Sequence, residues 1–329
     1  MDNVIEIIIL LILGTIFGIE LFNLFIPILK RLKYGQSIRS EGPASHLSKK
    51  GTPTMGGVPL LIITVFIWFT LIILNFEPEN KRILEFSLLF VSLIGFSFIG
   101  FTDDYLIIVK KTNDGLKPRT KFIMQLIVSA VCYYLIISIR KSSIINFFGY
   151  NFDIKFFYGI LLLIAYSGFS NATNLTDGLD GLLGGCYIII LSGIIVLSFV
   201  KNNTVVLYFS LSLFIGLISF LIYNMPKAKI FMGDTGSLFL GSTLVTLLIL
   251  LNLEILVFIF GALFLFETLS VMIQVWFFKR TKGKRLFKMT PFHHHLELIG
   301  FNNTKINIIF WLMTCVFTII GTVLGVLVF

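Results

Sequence analysis

The sequence predicts an all-α polytopic membrane protein with about ten transmembrane helices, and two observations carry this prediction. Hydrophobic residues make up 57% of the 329 residues and charged residues only 13%, with a mean hydropathy of +0.96. A soluble protein of this length cannot bury so much apolar surface. The apolar residues also form long continuous runs instead of alternating with polar ones, which indicates helices rather than strands.

Ten segments are long enough, or nearly long enough, to cross a bilayer, for which a helix needs about 20 mostly apolar residues. The fifth is short and runs directly into a polar stretch. There is no internal repeat and no low-complexity linker, so the sequence indicates one domain over residues 1–329. The predicted segments are residues 4–29, 58–76, 83–102, 122–139, 156–171, 185–200, 205–223, 238–252, 255–278 and 306–328.

The distribution of lysine and arginine predicts which side of the membrane each loop faces. The loops after segments 1, 3, 5, 7 and 9 carry 6, 5, 0, 2 and 7 basic residues, together 20 of the 26 in the chain. Cytosolic loops are enriched in lysine and arginine, so we expect these loops to be cytosolic and both termini to be external. The net charge of +9 then reflects topology, and we expect no nucleic-acid partner.

Two smaller features follow from local patterns. The external stretch 140–155 alternates loosely around Gly149, which is typical of a small β-hairpin. Cys132, Cys186 and Cys315 lie inside apolar segments without the spacing of a metal site. We interpret them as small core residues.

The most informative polar stretch is N-A-T-N-L-T-D-G-L-D-G-L-L-G, residues 171–184. It contains the carboxylates of Asp177 and Asp180 three positions apart, the amides of Asn171 and Asn174, and no basic residue. If this stretch is a helix end, the spacing places both carboxylates on one face. The alternative is a polar loop that joins two apolar segments.

Four further polar clusters lie in other predicted cytosolic loops: a Gly/Thr/Lys loop with Lys49 and Thr54, the pair Asp103-Asp104 directly after segment 3, Asp234 between glycines before segment 8, and His293-His294-His295. Each has an ordinary reading, respectively as a topology signal, a solvated helix end, an N-cap and an incidental surface run. Their occurrence on one membrane face favours a Mg²⁺-dependent reaction on a phosphorylated substrate. Mg²⁺ takes one or two carboxylates and completes its shell with phosphate oxygens and water.

The order and wording of these motifs resemble the polyprenyl-phosphate N-acetylhexosamine-1-phosphate transferase superfamily, and within it the bacterial phospho-N-acetylmuramoyl-pentapeptide transferase family. The resemblance extends from Ser48 to the last segment. One departure is Ile107, where family members often carry a basic residue; Lys110, Lys111 or Lys121 can take that role. The matching motifs are S-K-K-G-T-P-T-M-G-G, F-T-D-D-Y, N-L-T-D-G-L-D-G, F-M-G-D-T-G-S and M-T-P-F-H-H-H-L-E.

The resemblance implies a reaction on the cytosolic face of the bacterial plasma membrane. A phosphosugar would pass from UDP-N-acetylmuramoyl-pentapeptide to undecaprenyl phosphate, which gives lipid I and UMP for peptidoglycan synthesis. One pyrophosphate is exchanged for another, so no external energy source is needed. The expected cofactor is Mg²⁺, the expected surroundings are the lipid bilayer, and a homodimer is one oligomeric state to consider.

The resemblance also implies roles for individual residues. Asp234 is expected to bind the metal, and Asp177 to be a second ligand. Asp103 is expected to act as a base toward the lipid phosphate. The implied catalytic residues are Asp103, Asp104, Asp234 and His294. The implied substrate-binding residues are Lys49, Thr54, Lys121, Asn174, Asp177, Asp180, Asn224, Phe231, His293 and His295.

Two alternative functions come from different classes. A sister transferase would move N-acetylglucosamine-1-phosphate to the same lipid for teichoic acid or O-antigen, and would be expected to differ in the histidine motif. A cation-coupled transporter would place ionisable groups near mid-membrane. Here Glu20 and Glu267 are the exceptions to acids at cytosolic helix ends. We expect Glu267 to face the protein interior, because an unpaired carboxylate at that depth costs roughly 2.5–3.5 kcal/mol.

The loop charges make the orientation testable. A cysteine placed at Ser48 or Thr281 should resist a membrane-impermeant thiol reagent in sealed cells and react once the cells are opened, because both loops are predicted to be cytosolic. A cysteine at Tyr150, in the predicted external hairpin, is the matched control and should react in sealed cells. Labelling of a cysteine at Thr281 in sealed cells would contradict the predicted topology.

Overall fold

Helices make up almost all of the regular structure in the computed structural model, which describes residues 2–31, 51–75, 79–110, 115–147 and 149–327. Among these residues, ten helices are long and apolar enough to cross a membrane, which confirms the predicted fold class. They are α1 (Asp2–Arg31), α2 (Gly57–Asn75), α3 (Asn80–Lys110), α4 (Pro118–Arg140), α5 (Phe156–Thr176), α6 (Leu182–Val200), α7 (Thr204–Asn224), α8 (Gly233–Leu250), α10 (Ala262–Arg280) and α12 (Asn303–Leu327).

Short elements join the long helices at several points. The predicted hairpin is confirmed: β1 (Ile144–Phe147) pairs antiparallel with β2 (Tyr150–Asp153), and Gly149 lies in the turn with a φ of 87°. A short helix, α9 (Val257–Phe260), precedes α10. The seven-residue helix α11 (Phe292–Leu298) carries the three histidines.

Two predicted segments end too early, because the helices continue past the apolar residues that define a span. Helix α3 extends to Lys110, so Asp103 and Asp104 lie within a helix and not in a loop after it. Helix α5 extends to Thr176 and includes Asn171 and Asn174. Backbone hydrogen bonding does not stop where hydropathy falls, so the polar residues at these ends lie on a regular helical backbone that fixes their positions.

The predicted ninth segment, residues 255–278, is wrong as a continuous helix. A 3-10 turn (Glu254–Leu256) and α9 occupy its first part, Gly261 follows, and α10 begins at Ala262. A Cβ at Gly261 would meet the ring of Phe169 from α5, so the break lies where another helix approaches closely. The sequence pattern stays apolar throughout, and hydropathy therefore does not reveal the interruption.

Helix α8 forms the centre of the molecule. Every residue from Thr235 to Leu250 is buried, and α3, α5 and α2 pack around it. Hydroxyl groups inside this bundle bond to each other: Tyr166 Oη lies 2.9 Å from Thr246 Oγ1, which lies 2.9 Å from Ser92 Oγ. Tyr187 Oη donates to the carbonyl of Leu240 at 2.7 Å. These pairings satisfy polar groups that would otherwise be costly in hydrocarbon.

Glycines let α8 begin in direct contact with two other helices. A Cβ at Gly100 of α3 would meet the backbone of Asp234 and Thr235, and a Cβ at Gly57 of α2 would meet the backbone of Gly236. No side chain fits between these backbones. The first turn of α8 is thereby fixed against α2 and α3.

The close approach at Gly100 predicts a loss of stability on substitution. Gly100→Ala should destabilise the protein by about 1–3 kcal/mol, because the neighbouring atoms are backbone and cannot move aside cheaply. Gly168→Ala in α5 is the matched control, since a Cβ there meets nothing within 4 Å. Thermal unfolding of the purified proteins in detergent measures the difference, and equal melting temperatures would contradict the packing argument.

Candidate functional site

The carboxylate of Asp234 lies where three helices meet. It belongs to the first turn of α8, and its Oδ1 accepts a hydrogen bond from Asn174 Nδ2 of α5 at 2.7 Å. Its Oδ2 is paired with the ammonium of Lys121 from α4. Asn174 Nδ2 also donates to Ser237 Oγ at 2.9 Å. The orientation of Asp234 is therefore set by both neighbouring helices.

Asp103 contributes a second carboxylate to the same place. Lys121 Nζ lies 3.9 Å from Asp103 Oδ1, and that oxygen also accepts the backbone N–H of Leu116 at 3.0 Å. One ammonium is thus shared by two carboxylates from different helices. The side chains of Lys121, Asp103 and Asp234 are 16%, 10% and 23% exposed, so the group is sheltered but open to a ligand. We call Asp103, Lys121, Asn174 and Asp234 the aspartate cluster.

Asp104 lies beside the aspartate cluster, but both of its carboxylate oxygens accept hydrogen bonds from the protein. Its Oδ1 accepts the backbone N–H of Asp234 at 3.0 Å. Its Oδ2 accepts the N–H of Thr235 at 2.9 Å and the hydroxyl of Thr235 at 2.6 Å. The side chain is only 4% exposed. Asp104 therefore anchors the first turn of α8, and this geometry suits a positioning residue better than a residue that contacts substrate.

The loop before α2 pairs with the loop before α8. Phe231 N donates to Pro53 O, and Gly56 N donates to Phe231 O, both at 2.8 Å. A Cβ at Gly233, which has a φ of 75°, would meet the Thr54 hydroxyl and the Asp104 carboxylate. Thr54 is buried next to this turn and Phe231 is half-buried. Lys49 lies outside the described residues.

Asp177 and Asp180 lie in a turn after α5, so the condition under which one helix face would carry both carboxylates is not met. Helix α5 ends at Thr176, and Asp177 is its C-cap. Asp180 Oδ2 accepts the N–H groups of Lys227 and Ala228, each at 3.2 Å. Glycines break the helical pattern here, and Gly181 has a φ of 78°.

Asn224 and Asn307 hold this turn from two other helices. Asn224 Oδ1 accepts the N–H of Gly181 at 2.9 Å, and its Nδ2 donates to Ile230 O at 2.8 Å. Asn307 Nδ2 of α12 donates to the carbonyl of Asp180 at 2.7 Å. The amide of Asn224 is thus engaged with backbone, which favours a role in shaping the turn. The sequence motifs do not point to Asn307, since it lies at the start of an apolar segment and outside each of them.

The three histidines of α11 have different surroundings. His293 is fully buried, and a Cβ at Gly178 would meet its ring, so it packs directly on the turn after α5. His294 Nδ1 lies 2.8 Å from Glu297 Oε2. His295 Nδ1 accepts the N–H of Lys288 at 3.2 Å. The structure therefore brings His293 to the turn with Asp177 and Asp180, whereas His295 bonds to the loop before α11.

Glu267 of α10 anchors the start of α11, and the expectation that it faces the interior is confirmed. It is fully buried. Its oxygens accept the N–H of Phe292 at 2.6 Å and of His293 at 3.2 Å, and Oε1 lies 3.4 Å from His293 Nδ1. A carboxylate on the first free N–H groups of a helix is electrostatically favourable.

The donor set around Lys121 fits a hard divalent cation. Asp103 and Asp234 supply carboxylate oxygens, and Mg²⁺ usually needs only one or two of these in addition to phosphate oxygens and water. Over residues 2–31, 51–75, 79–110, 115–147 and 149–327, no three acidic, histidine or cysteine side chains lie close enough to hold a metal ion by themselves. Asp177 is therefore not joined to Asp103 and Asp234 in one protein-only metal site.

Comparison with known proteins gives consistent matches. Residues 86–252 match the family model of glycosyl transferase family 4. The chain is 44% identical over 319 residues to a phospho-N-acetylmuramoyl-pentapeptide-transferase from Staphylococcus aureus (strain bovine RF122 / ET3-1), which covers 95% of this chain and 98% of that protein. It is 43% identical over 323 residues to the protein of the same name from Staphylococcus carnosus (strain TM300), covering 97% and 99%.

The anchoring of α11 predicts the effect of removing one carboxylate. Glu267→Ala should leave the N–H groups of Phe292 and His293 unsatisfied and cost about 1.5–3 kcal/mol locally. Hydrogen–deuterium exchange over residues 291–299 should accelerate. Glu20→Ala in α1, an exposed glutamate in another spanning helix, is the matched control. Unchanged exchange in Glu267→Ala would refute the anchoring role.

Proposed function

The chain belongs to glycosyl transferase family 4 and, within it, to the phospho-N-acetylmuramoyl-pentapeptide transferases, and we propose that it transfers phospho-N-acetylmuramoyl-pentapeptide from UDP to undecaprenyl phosphate. The products are lipid I and UMP, and the pathway is peptidoglycan synthesis. The observation that carries the proposal is the aspartate cluster, in which Asp103 and Asp234 share the Lys121 ammonium. The protein is a multi-pass bacterial membrane protein.

The reaction exchanges one phosphoanhydride bond for another. An oxygen of the lipid phosphate forms a bond to the phosphorus that carries the sugar, and the bond from that phosphorus to the UMP oxygen breaks. The attacking oxygen becomes the bridging oxygen of the new pyrophosphate, and UMP leaves with the old bridging oxygen. The protein has to bring two anions together and neutralise their charge.

Asp234 and Asp103 are the residues that would hold Mg²⁺, with Asp234 as the principal ligand. Bound Mg²⁺ would neutralise charge on the donor pyrophosphate. Lys121, beside both carboxylates, supplies a second positive charge that phosphate oxygens can share. Asn174 keeps Asp234 aimed at this point through its bond to Oδ1.

Asp103 is also proposed to contact the lipid phosphate, but it need not be a strong base. A phosphate monoester has a second pKa of about 6, so the acceptor is largely ionised at pH 7. We therefore assign Asp103 mainly to positioning of the acceptor and metal. Asp104 keeps α8 in place and acts through Asp234 and Thr235.

The remaining residues would bind the donor around this centre. Thr54 and Phe231 are proposed for the nucleotide end, together with Lys49. Asp177 and the turn around Asp180, held by Asn224, are proposed to contact nucleotide or sugar. His294 is proposed to meet the sugar or phosphate as the catalytic member. His293, which is fully buried, would act on substrate binding through the turn after α5, and His295 would contribute by fixing α11.

The cytosolic face is the proposed location of the site, because the nucleotide donor is soluble and the loop charges predict this side. Both termini would then be external. The lipid acceptor would arrive from the inner leaflet along apolar helix surfaces. A homodimer is the oligomeric state that we propose to test.

A side-by-side assay decides between this function and its alternatives. Reconstituted protein receives undecaprenyl phosphate with either UDP-N-acetylmuramoyl-pentapeptide or UDP-N-acetylglucosamine, and UMP is measured. Release with the first donor alone supports the proposal. Release with the second donor supports the sister transferase, and absence of UMP with both supports a transporter or another class.

We expect Asp234→Asn to cause a severe loss of turnover. The variant keeps the shape and the bond from Asn174 in part, but loses the charge that would bind Mg²⁺. We expect UMP release to fall by at least about a hundredfold, the range in which loss of a key electrostatic group reduces kcat. Asp153→Asn in the external hairpin is the control and should leave turnover unchanged. Near-normal turnover of Asp234→Asn would remove the metal role.

The proposal also requires one direct transfer. With donor present and lipid acceptor absent, no phosphosugar should become attached to the protein. Intact-protein mass spectrometry after donor incubation tests this. A covalent adduct on Asp234 or Asp103 would replace direct transfer with nucleophilic catalysis.

A further inference from the structure

The end of α10 and the loop that follows it are strongly basic. Residues 279–288, which we call the basic segment, contain six basic residues and no acidic residue, and all six are exposed. They are Lys279, Arg280, Lys282, Lys284, Arg285 and Lys288. A cluster of this density directly next to a spanning helix is the pattern that attracts anionic lipid headgroups.

Most of these charges have no counter-ion among the described residues. Lys279, Arg280, Lys282 and Lys284 make no side-chain hydrogen bond or ion pair with the part of the chain that the structure describes. Arg285 Nη1 and Lys288 Nζ donate only to carbonyl oxygens, of Lys288 at 3.3 Å and of Leu298 at 3.1 Å. The basic segment therefore retains its full positive charge toward a ligand.

A cavity of about 270 Å³ lies between the basic segment and the end of α10. Lys279 and Arg285 provide its charged wall, and Val275, Phe278 and Met289 provide an apolar wall. It combines two cations with hydrocarbon surface in one concave site. That combination suits an amphiphile with an anionic head better than a free soluble anion.

The position of the cavity agrees with a lipid ligand. Two of its apolar residues, Val275 and Phe278, belong to the end of α10, and nearby on the same helix Met272 and Trp276 are each 61% exposed. Exposed apolar side chains followed directly by exposed cations are the pattern expected where a bilayer changes from acyl chains to headgroups. None of the cavity's lining residues belongs to the aspartate cluster.

We propose that the cavity and the basic segment bind the headgroup of an anionic phospholipid from the surrounding bilayer, with the phosphate between Lys279 and Arg285. The acyl chains would continue along Val275 and Phe278. Both cations would contact the phosphate oxygens, and Arg285 offers several N–H groups for them. A zwitterionic headgroup carries an added positive charge, which the basic segment repels.

Gln274 connects this site to the rest of the loop. Its Oε1 accepts the N–H groups of Leu286 at 3.1 Å and Phe287 at 3.0 Å, and its Nε2 donates to Phe287 O at 3.1 Å. A phosphate bridging Lys279 and Arg285 would add a second link between α10 and the chain that leads into α11. Lipid binding should therefore slow hydrogen exchange at residues 284–290.

The test measures lipid selectivity of the full-length protein in phosphatidylcholine vesicles. Spin-labelled phosphatidylglycerol and spin-labelled phosphatidylcholine are compared, and the motionally restricted fraction of each gives the preference for the anionic lipid. Lys279→Gln/Arg285→Gln should lower this preference by about fivefold or more. Lys117→Gln/Arg119→Gln removes two exposed cations from the predicted same face outside the cavity and should lower it far less.

Three outcomes would overturn the proposal. Equal losses in both double variants would mean a general surface field with no site at Lys279 and Arg285. Equal binding of the two lipids by the parent protein would remove the charge selectivity. Displacement of the labelled phospholipid by equimolar undecaprenyl phosphate, but not by unlabelled phosphatidylglycerol or inorganic phosphate, would reassign the cavity to the acceptor lipid. The measurement does not use turnover, so it stands or falls separately from the proposed reaction.

Discussion

The three hydrogen bonds received by the Asp104 carboxylate are the interaction on which the site depends. They tie two N–H groups and one hydroxyl group of the first turn of α8 to α3, at a point where Gly100 brings the two backbones into contact. The free N–H groups of a buried helix start need acceptors, and here a side chain from another helix supplies them. Asp234, one residue into α8, consequently faces Asn174 and Lys121 in a fixed direction.

The same arrangement explains how several acidic groups coexist at low exposure. Lys121 compensates Asp103 and Asp234, the α8 backbone compensates Asp104, and the backbone of Lys227 and Ala228 compensates Asp180. Each of these carboxylates therefore has a partner, shared in the case of Asp103 and Asp234, which avoids the cost of an unpaired buried charge. Lys121, the partner that Asp103 and Asp234 share, is a long flexible side chain. These two are the carboxylates that can turn toward an incoming cation and phosphate without unfolding a helix.

The sequence predicts the spans well because hydrophobic length is a one-dimensional property. It also identifies Asp103, Asp104 and Asp234 as one group, through motifs. It does not separate their roles, because Asp103 and Asp104 are neighbours in the chain but point at different partners, Lys121 and the start of α8. The break at Gly261 and the contribution of Asn307 also escape prediction, since both depend on a distant helix and leave the local apolar pattern intact. Glu267 could be anticipated, because burial energetics alone require a partner for it.

The enclosure of α8 has a consequence for how the protein is made. From Thr235 to Leu250 this helix is covered by protein, and it contains Ser237, Ser242, Thr243 and Thr246, whose hydroxyls suit helix neighbours better than lipid. Its main neighbours, α2, α3 and α5, all precede it in the chain. During synthesis the ribosome delivers α8 only after these helices are available. The helix that carries Asp234 can thus pass from the translocation channel directly into contact with α2, α3 and α5, without first being surrounded by lipid.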